Sequence, residues 1–142
     1  MSSDRVPNII LLQDYEDANT VISGVLNLKG CQVHKTTNLE SCLSIVSKLE
    51  EKADVVLIKN EIALSRDSIV LKNIKKINPA IIVIVLADND KDEGKLQEHK
   101  IDEFVQTPVS AENLADKILM LIAKKELKRI KETQLKNDPI EQ

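Results

Sequence analysis

Ala80–Leu86 reads AIIVIVL and Asp54–Ile58 reads DVVLI. Both are β-branched runs, too short for a helix and apolar without alternation, which is the pattern of strands buried on both faces of a parallel sheet. AIIVIVL is the most hydrophobic run of the chain and is expected at the centre of the sheet. Val6–Leu12 (VPNIILL) is a third such run, ending abruptly in Gln13-Asp14-Tyr15-Glu16-Asp17. Cys31–Thr36 is half polar and predicts an edge strand, and Phe104-Val105 a short fifth one.

Between these runs the apolar period changes to that of a helix. Ala18, Val21, Ile22, Val25, Leu26 and Leu28 predict a helix over Asp17–Lys29, stopped by Gly30. Asn38 can cap a second helix carrying Leu39, Leu43, Val46 and Leu49 on one face. Ser68–Ile77 spaces Ile69, Val70, Ile74 and Ile77 helically before Asn78-Pro79. Asp90–Lys100 is a weak helical candidate with Leu96 as its large aliphatic, and Ser110 can cap a long last helix from Ala111 to about Gln134. Five strands alternating with five helices predict an α/β, flavodoxin-like three-layer sandwich around a parallel sheet, because parallel neighbours need helical crossovers. In such sheets, chemistry gathers at the carboxyl ends of the strands.

Composition narrows the function classes. The 142 residues are 42% hydrophobic and 30% charged, with 20 basic and 23 acidic side chains and a net charge of −3. That suffices for one domain with a full core and no need of disulfides. Cys31 and Cys42 are read as small apolar fillers in a reducing, cytoplasmic compartment, since neither a signal peptide nor an apolar run near eighteen residues is present. The two aromatics, Tyr15 and Phe104, are too few for base stacking, and the bulk charge opposes nucleic acid.

The strand ends read Gln13-Asp14, Lys59-Asn60-Glu61, Ala87-Asp88 and Thr107-Pro108. In ILL-QD-YED, in DVVLI followed by a polar residue, and in DEFVQTP, the chain resembles, over roughly residues 7–123, the receiver domain of bacterial and archaeal response regulators. The resemblance implies phosphoryl transfer to an aspartate ending strand three, Mg²⁺ held by it and an acidic pair after strand one, a hydroxyl after strand four and a lysine after strand five. This chain departs from that set. The acceptor position is Lys59, the acidic pair is Gln13-Asp14, the hydroxyl position is Ala87 and the lysine position is Thr107.

A protonated lysine has no lone pair with which to attack phosphorus, and its charge repels a metal left with one side-chain carboxylate. The expectation is therefore a degenerate pocket of Gln13, Asp14, Lys59, Ala87 and Thr107, with no phosphoacceptor, no catalytic residue and Mg²⁺ binding lost. Within it, Lys59 either pairs with Asp14 in place of the metal or snorkels to solvent; breaking such a buried pair costs about 3–5 kcal/mol. Phe104 stands where the resemblance places a switch aromatic, and equally suits the core.

Other residues have ordinary readings. The acidic run Asp88, Asp90, Asp92 and Glu93 lacks the ligand order and turn glycine of a calcium loop and reads as a solvated loop. His34 and His99 lack zinc-ligand spacing and read as surface residues. Ser65 and Ser68 are phosphorylatable on paper, with nothing to select them.

The last helix outruns the sheet. Residues 123–136 hold Lys124, Lys125, Lys128, Arg129, Lys131 and Lys136 against Glu126 and Glu132, a surplus of four positive charges that leaves −7 for the rest of the chain. Met120, Ala123, Leu127 and Ile130, spaced 3-4-3, form a second apolar stripe off the Leu114, Ile118, Leu121 core stripe and suit a homodimer or protein partner, or else a solvated helix. The expectation is a receiver-like domain at 6–123, a basic helical extension and disordered tail at 124–142, and no output domain. It would act in signal transduction through protein contacts, independently of phosphorylation and without catalysis or membrane attachment. The alternatives are a phosphorelay receiver using an unusual acceptor, Asp14 or Asp88, and a nucleic-acid accessory protein using the basic helix.

Overall fold

The computed structural model describes residues 6–12, 16–99 and 101–137. Its elements follow the expected alternation: β1 (Asn8–Leu12), α1 (Glu16–Leu28), β2 (Gln32–Thr36), α2 (Leu39–Leu49), β3 (Ala53–Lys59), α3 (Asn60–Ile77), β4 (Ile82–Ala87), α4 (Glu93–Glu98), β5 (Glu103–Gln106) and α5 (Ala111–Asn137). The strands form one parallel sheet in the order β2-β1-β3-β4-β5. β2 is an edge strand, as its polar residues require. β3, not β4, occupies the middle, and β4 lies between β3 and the short β5. Hydrophobicity alone separates buried strands from edge strands but does not rank two that are both covered on each face.

Alternation along each strand divides the core into two layers. Ile10, Leu12, Val56, Ile58, Val83 and Val85 point to one face, where Cys42, Val46, Ala63, Leu71, Ile74 and Leu96 of α2, α3 and α4 cover them. Ile9, Leu11, Val55, Leu57, Ile82 and Ile84 point to the other, under Ile22 and Leu26 of α1 and Leu114 and Ile118 of α5. Both cysteines are free and buried. Burial pushes the Cys42 thiol up to about 12 despite a hydrogen bond with Thr36.

The amino-terminal edge of the sheet is closed by side chains bonded to backbone. Asp54 accepts from the Asn8 N–H at 2.8 Å, and Asp102 from the Val83 N–H at 2.7 Å. Buried Asn78 donates to the carbonyls of Glu50 and Ala53 and accepts from the Ala80 N–H. This Asn78 turn absorbs Ala80 and Ile81, so β4 begins at Ile82 rather than Ala80. His34 is no simple surface residue: half-buried, its Nε2 lies 3.0 Å from Asn8 Oδ1, and desolvation lowers its pKa.

Two helices depart from the sequence reading. α3 starts at Asn60, directly after β3, rather than at Ser68. Arg66-Asp67-Ser68 reads as a polar break, and the backbone does turn there, with buried Ser68 at φ 62°, yet helix continues on both sides. α4 is confined to Glu93–Glu98, held by Leu96 as its single buried residue.

Candidate functional site

Register places the carboxyl ends of the strands level with one another. Leu12 is paired with Ile58, Lys59 with Leu86, and Ala87 with Gln106. The residues just beyond these pairs therefore share one edge, at the β1/β3 point where the order of winding reverses. Gln13 and Asp14 follow β1 but lie outside the described residues, and with them the Lys59–Asp14 pairing.

Lys59 is the last residue of β3, half-buried and extended at φ −73°, ψ 143°, and it immediately precedes the first turn of α3. With no loop between strand and helix, Asn60 is drawn under the β4–α4 loop. Its Nδ2 donates to Asp92 Oδ2 at 2.9 Å, while its Oδ1 is buried without a hydrogen-bond partner. Ala87, buried, ends β4. Thr107 reaches back from β5: its N–H donates to the Ala87 carbonyl at 2.8 Å, and its Oγ1 lies 2.9 Å from Asp88 Oδ1 and 3.2 Å from the same carbonyl. The peptide bond to Pro108 is cis. Ser110 then caps α5, accepting from the Asn113 N–H at 3.0 Å.

Two side-chain bridges thus cross this edge, Asn60–Asp92 from the start of α3 to the β4–α4 loop and Thr107–Asp88 from the residue after β5 to the residue after β4. Asp88 and Asp92 belong to the acidic run read from sequence as a solvated loop; Asp88 is exposed in that loop and Asp92 half-buried, and each also accepts a hydrogen bond there. Neither bridge is legible locally, since the partners stand 32 and 19 positions apart. Phe104 is half-buried on β5, against the layer formed with α2, α3 and α4. Lys117 of α5 pairs with Glu103 of β5 at 2.9 Å, joining these two elements of the adjoining face.

The donor set that the described residues offer at this edge does not fit Mg²⁺. Among the described residues it offers a lysine cation, an amide oxygen, and two carboxylates already bonded to Thr107 and Asn60, whereas Mg²⁺ takes oxygen ligands in octahedral geometry. No group of three or more His, Cys, Asp or Glu residues among the described ones could hold a metal. Ser65 is exposed at the surface and Ser68 buried. No helix among the described residues is long and apolar enough to cross a membrane. Met120, Ala123, Leu127 and Ile130 are all exposed on α5.

No protein-family model and no curated protein matches the chain. Solved structures do. A response regulator receiver domain protein from Clostridium thermocellum is 26% identical, with 86% of this chain and 98% of that one covered at a TM-score of 0.72. A CheY-like receiver domain protein from Methanospirillum hungatei is 16% identical over 87% of this chain and 99% of that one, at a TM-score of 0.74. NtrX from Brucella abortus is 18% identical over 92% of this chain and 29% of that one, at a TM-score of 0.77. Strand order, layers and these neighbours agree that the chain has the fold of the response-regulator receiver domains.

Proposed function

We propose that this protein is a signalling receiver that works without phosphorylation, through protein contacts on the face formed by α4, β5 and α5, and that it is not an enzyme. The observation that carries the reading is Lys59 at the end of β3, where a receiver of the ordinary kind presents its acceptor aspartate. An ammonium there has no lone pair to offer phosphorus. The two bridges support the same reading: they link the strand-end loops with side chains already in the chain, so the loops need no phosphoryl group or Mg²⁺ to be drawn together. Ala87 brings no hydroxyl, and Thr107 spends its own on Asp88 and the Ala87 carbonyl. The partner is a protein of a signalling pathway, or a second copy of the chain; nucleic acid and membrane are not part of the reading.

The test is an amide NMR titration with Mg²⁺ and beryllofluoride, a mimic of the acyl phosphate, following Lys59, Ala87, Phe104 and Thr107. Unchanged spectra at about 10 mM ligand, a concentration that would reveal even weak sites, are expected. Saturable shifts running from the strand ends to Phe104 would mean that a phosphorelay receiver persists with another acceptor, Asp14 or Asp88.

A further inference from the structure

α5 does not stop where the sheet does. It runs to Asn137, and Leu127 to Gln134 are exposed on every side of the helix. On its inner side Lys125 Nζ donates to the Ala80 carbonyl. At about 100° per residue, Lys125 lies nearly in line with Ile118, the buried anchor of the helix. Met120, Ala123, Leu127 and Ile130 then fall about 120–200° away, on the side facing solvent. Met120 is 45%, Leu127 58% and Ile130 39% exposed. A helical segment of this length is marginal in water by itself, and its apolar stripe has no partner within the described domain.

The residues beside the stripe identify the occupant. The 3-4-3 spacing has one heptad register, with Met120 and Leu127 at a and Ala123 and Ile130 at d. Glu126 then falls at g, Lys124 and Lys131 at e, and Lys125, Lys128, Arg129 and Lys136 at the outer b, c and f positions. In a parallel pair, g of one helix meets the following e of the other, so Glu126 meets Lys131 of the second copy twice over by symmetry. In an antiparallel pair centred on the stripe, Glu126 meets Glu126 and Lys124 meets Lys124. The basic surplus of the extension thus fans away from the seam, and the one acidic residue beside the seam faces a lysine only in the parallel alignment. The stripe continues the helix that Leu114, Ala115 and Ile118 anchor in the core, so part of its ordering is already in place before association.

We infer that two copies of this chain associate in parallel through the extension of α5, with Met120, Ala123, Leu127 and Ile130 as the seam and Glu126–Lys131 pairs orienting it. The inference stands apart from the reading of the strand-end site, and its test does not depend on phosphorylation.

Sedimentation equilibrium of the full chain from about 1 μM to about 1 mM, a range spanning weak and firm association, is expected to show a concentration-dependent mass above that of one protomer. Leu127→Lys, at an exposed position, is expected to weaken association at least tenfold while leaving the dilute protein's melting temperature in place. Glu126→Lys should also weaken it, and Glu126→Lys with Lys131→Glu should restore it. Arg129→Gln, which removes only the intrahelical partner of Glu126, should leave it unchanged. A monomer at about 1 mM overturns the inference, and salt-dependent binding of polyglutamate or duplex DNA by that monomer would assign the extension to an acidic protein or a phosphate backbone. Association lost with Leu127→Lys but indifferent to Glu126→Lys overturns the parallel alignment.

Discussion

Asn60 offers a sharp test of how the strand-end edge is held, because truncating it and charging it should have clearly different outcomes. Its Nδ2 donates to the Asp92 carboxylate at 2.9 Å, and its Oδ1 is buried without a partner. A hydrogen bond to a charged group is worth about 1.5–3 kcal/mol, and this partly buried one belongs near the lower end. An unsatisfied buried acceptor costs about 1–3 kcal/mol. Asn60→Ala removes both and is expected within about 1 kcal/mol of the parent. Asn60→Asp removes the donor, keeps a buried oxygen, and sets a carboxylate against Asp92. Two unit charges about 4 Å apart repel by about 4 kcal/mol at an effective dielectric of 20, and partial exposure cuts that to about 1–2 kcal/mol. With the lost bond, the deficit at pH 7 is about 2–4 kcal/mol. Urea unfolding of the three proteins at pH 7 measures it directly. If Asn60→Asp is as stable as the parent at pH 7, or if Asn60→Ala loses more than Asn60→Asp, the bridge does not hold this edge together.

Further expectations concern the neighbouring elements. Thr107→Val keeps the shape and removes the hydroxyl bonded to Asp88 and Ala87, at a cost of about 1 kcal/mol in thermal or urea unfolding, while Thr107→Ser should retain most of it. Ser68 is held at φ 62°, a conformation costing a non-glycine residue about 1–3 kcal/mol; Ser68→Gly is expected to raise the urea midpoint and Ser68→Val, whose branched Cβ fits that region worst, to lower it. The pH profile of stability should carry the marks of half-buried His34 and buried Cys42. His34 titrates below its ordinary 6.5, so its contribution is full above that value and is lost as the pH falls through its folded-state pKa. Cys42 is pushed up to about 12, so its contribution is full below about 9 and is lost as the pH rises between 9 and 12. His34→Asn and Cys42→Ala should each flatten one limb of the profile, and for the same reason native Cys42 should resist alkylation at pH 8 until the protein unfolds.

Much of the architecture was readable because one-dimensional patterns report burial. DVVLI and AIIVIVL are apolar at every position, and both strands lie inside the sheet; the half-polar QVHKT lies at its edge. Asn38 caps α2 as its residue type suggests, accepting from the Ser41 N–H at 2.8 Å. The start of α3 was not readable, because Lys59 offers no side-chain cap and Arg66-Asp67-Ser68 resembles a loop. The reach of α4 was overestimated for the opposite reason: polar residues compatible with helix surround a single apolar anchor, and the chain turns through Asn89 and Lys91 instead.

What the sequence by itself determined about this protein is the alternation of five strands and five helices, the two apolar stripes of the last helix, and the identity of the residues that end each strand. Those are properties of period and residue type. Only the tertiary structure decided that β3 takes the middle of the sheet, that Asn60 meets Asp92 and Thr107 meets Asp88, and that the Ile118 stripe of α5 packs inward while the Leu127 stripe is left outside. Such contacts join residues distant along the chain, and they depend on strand register and on which helix face docks first against the sheet, quantities that no local pattern of side chains contains.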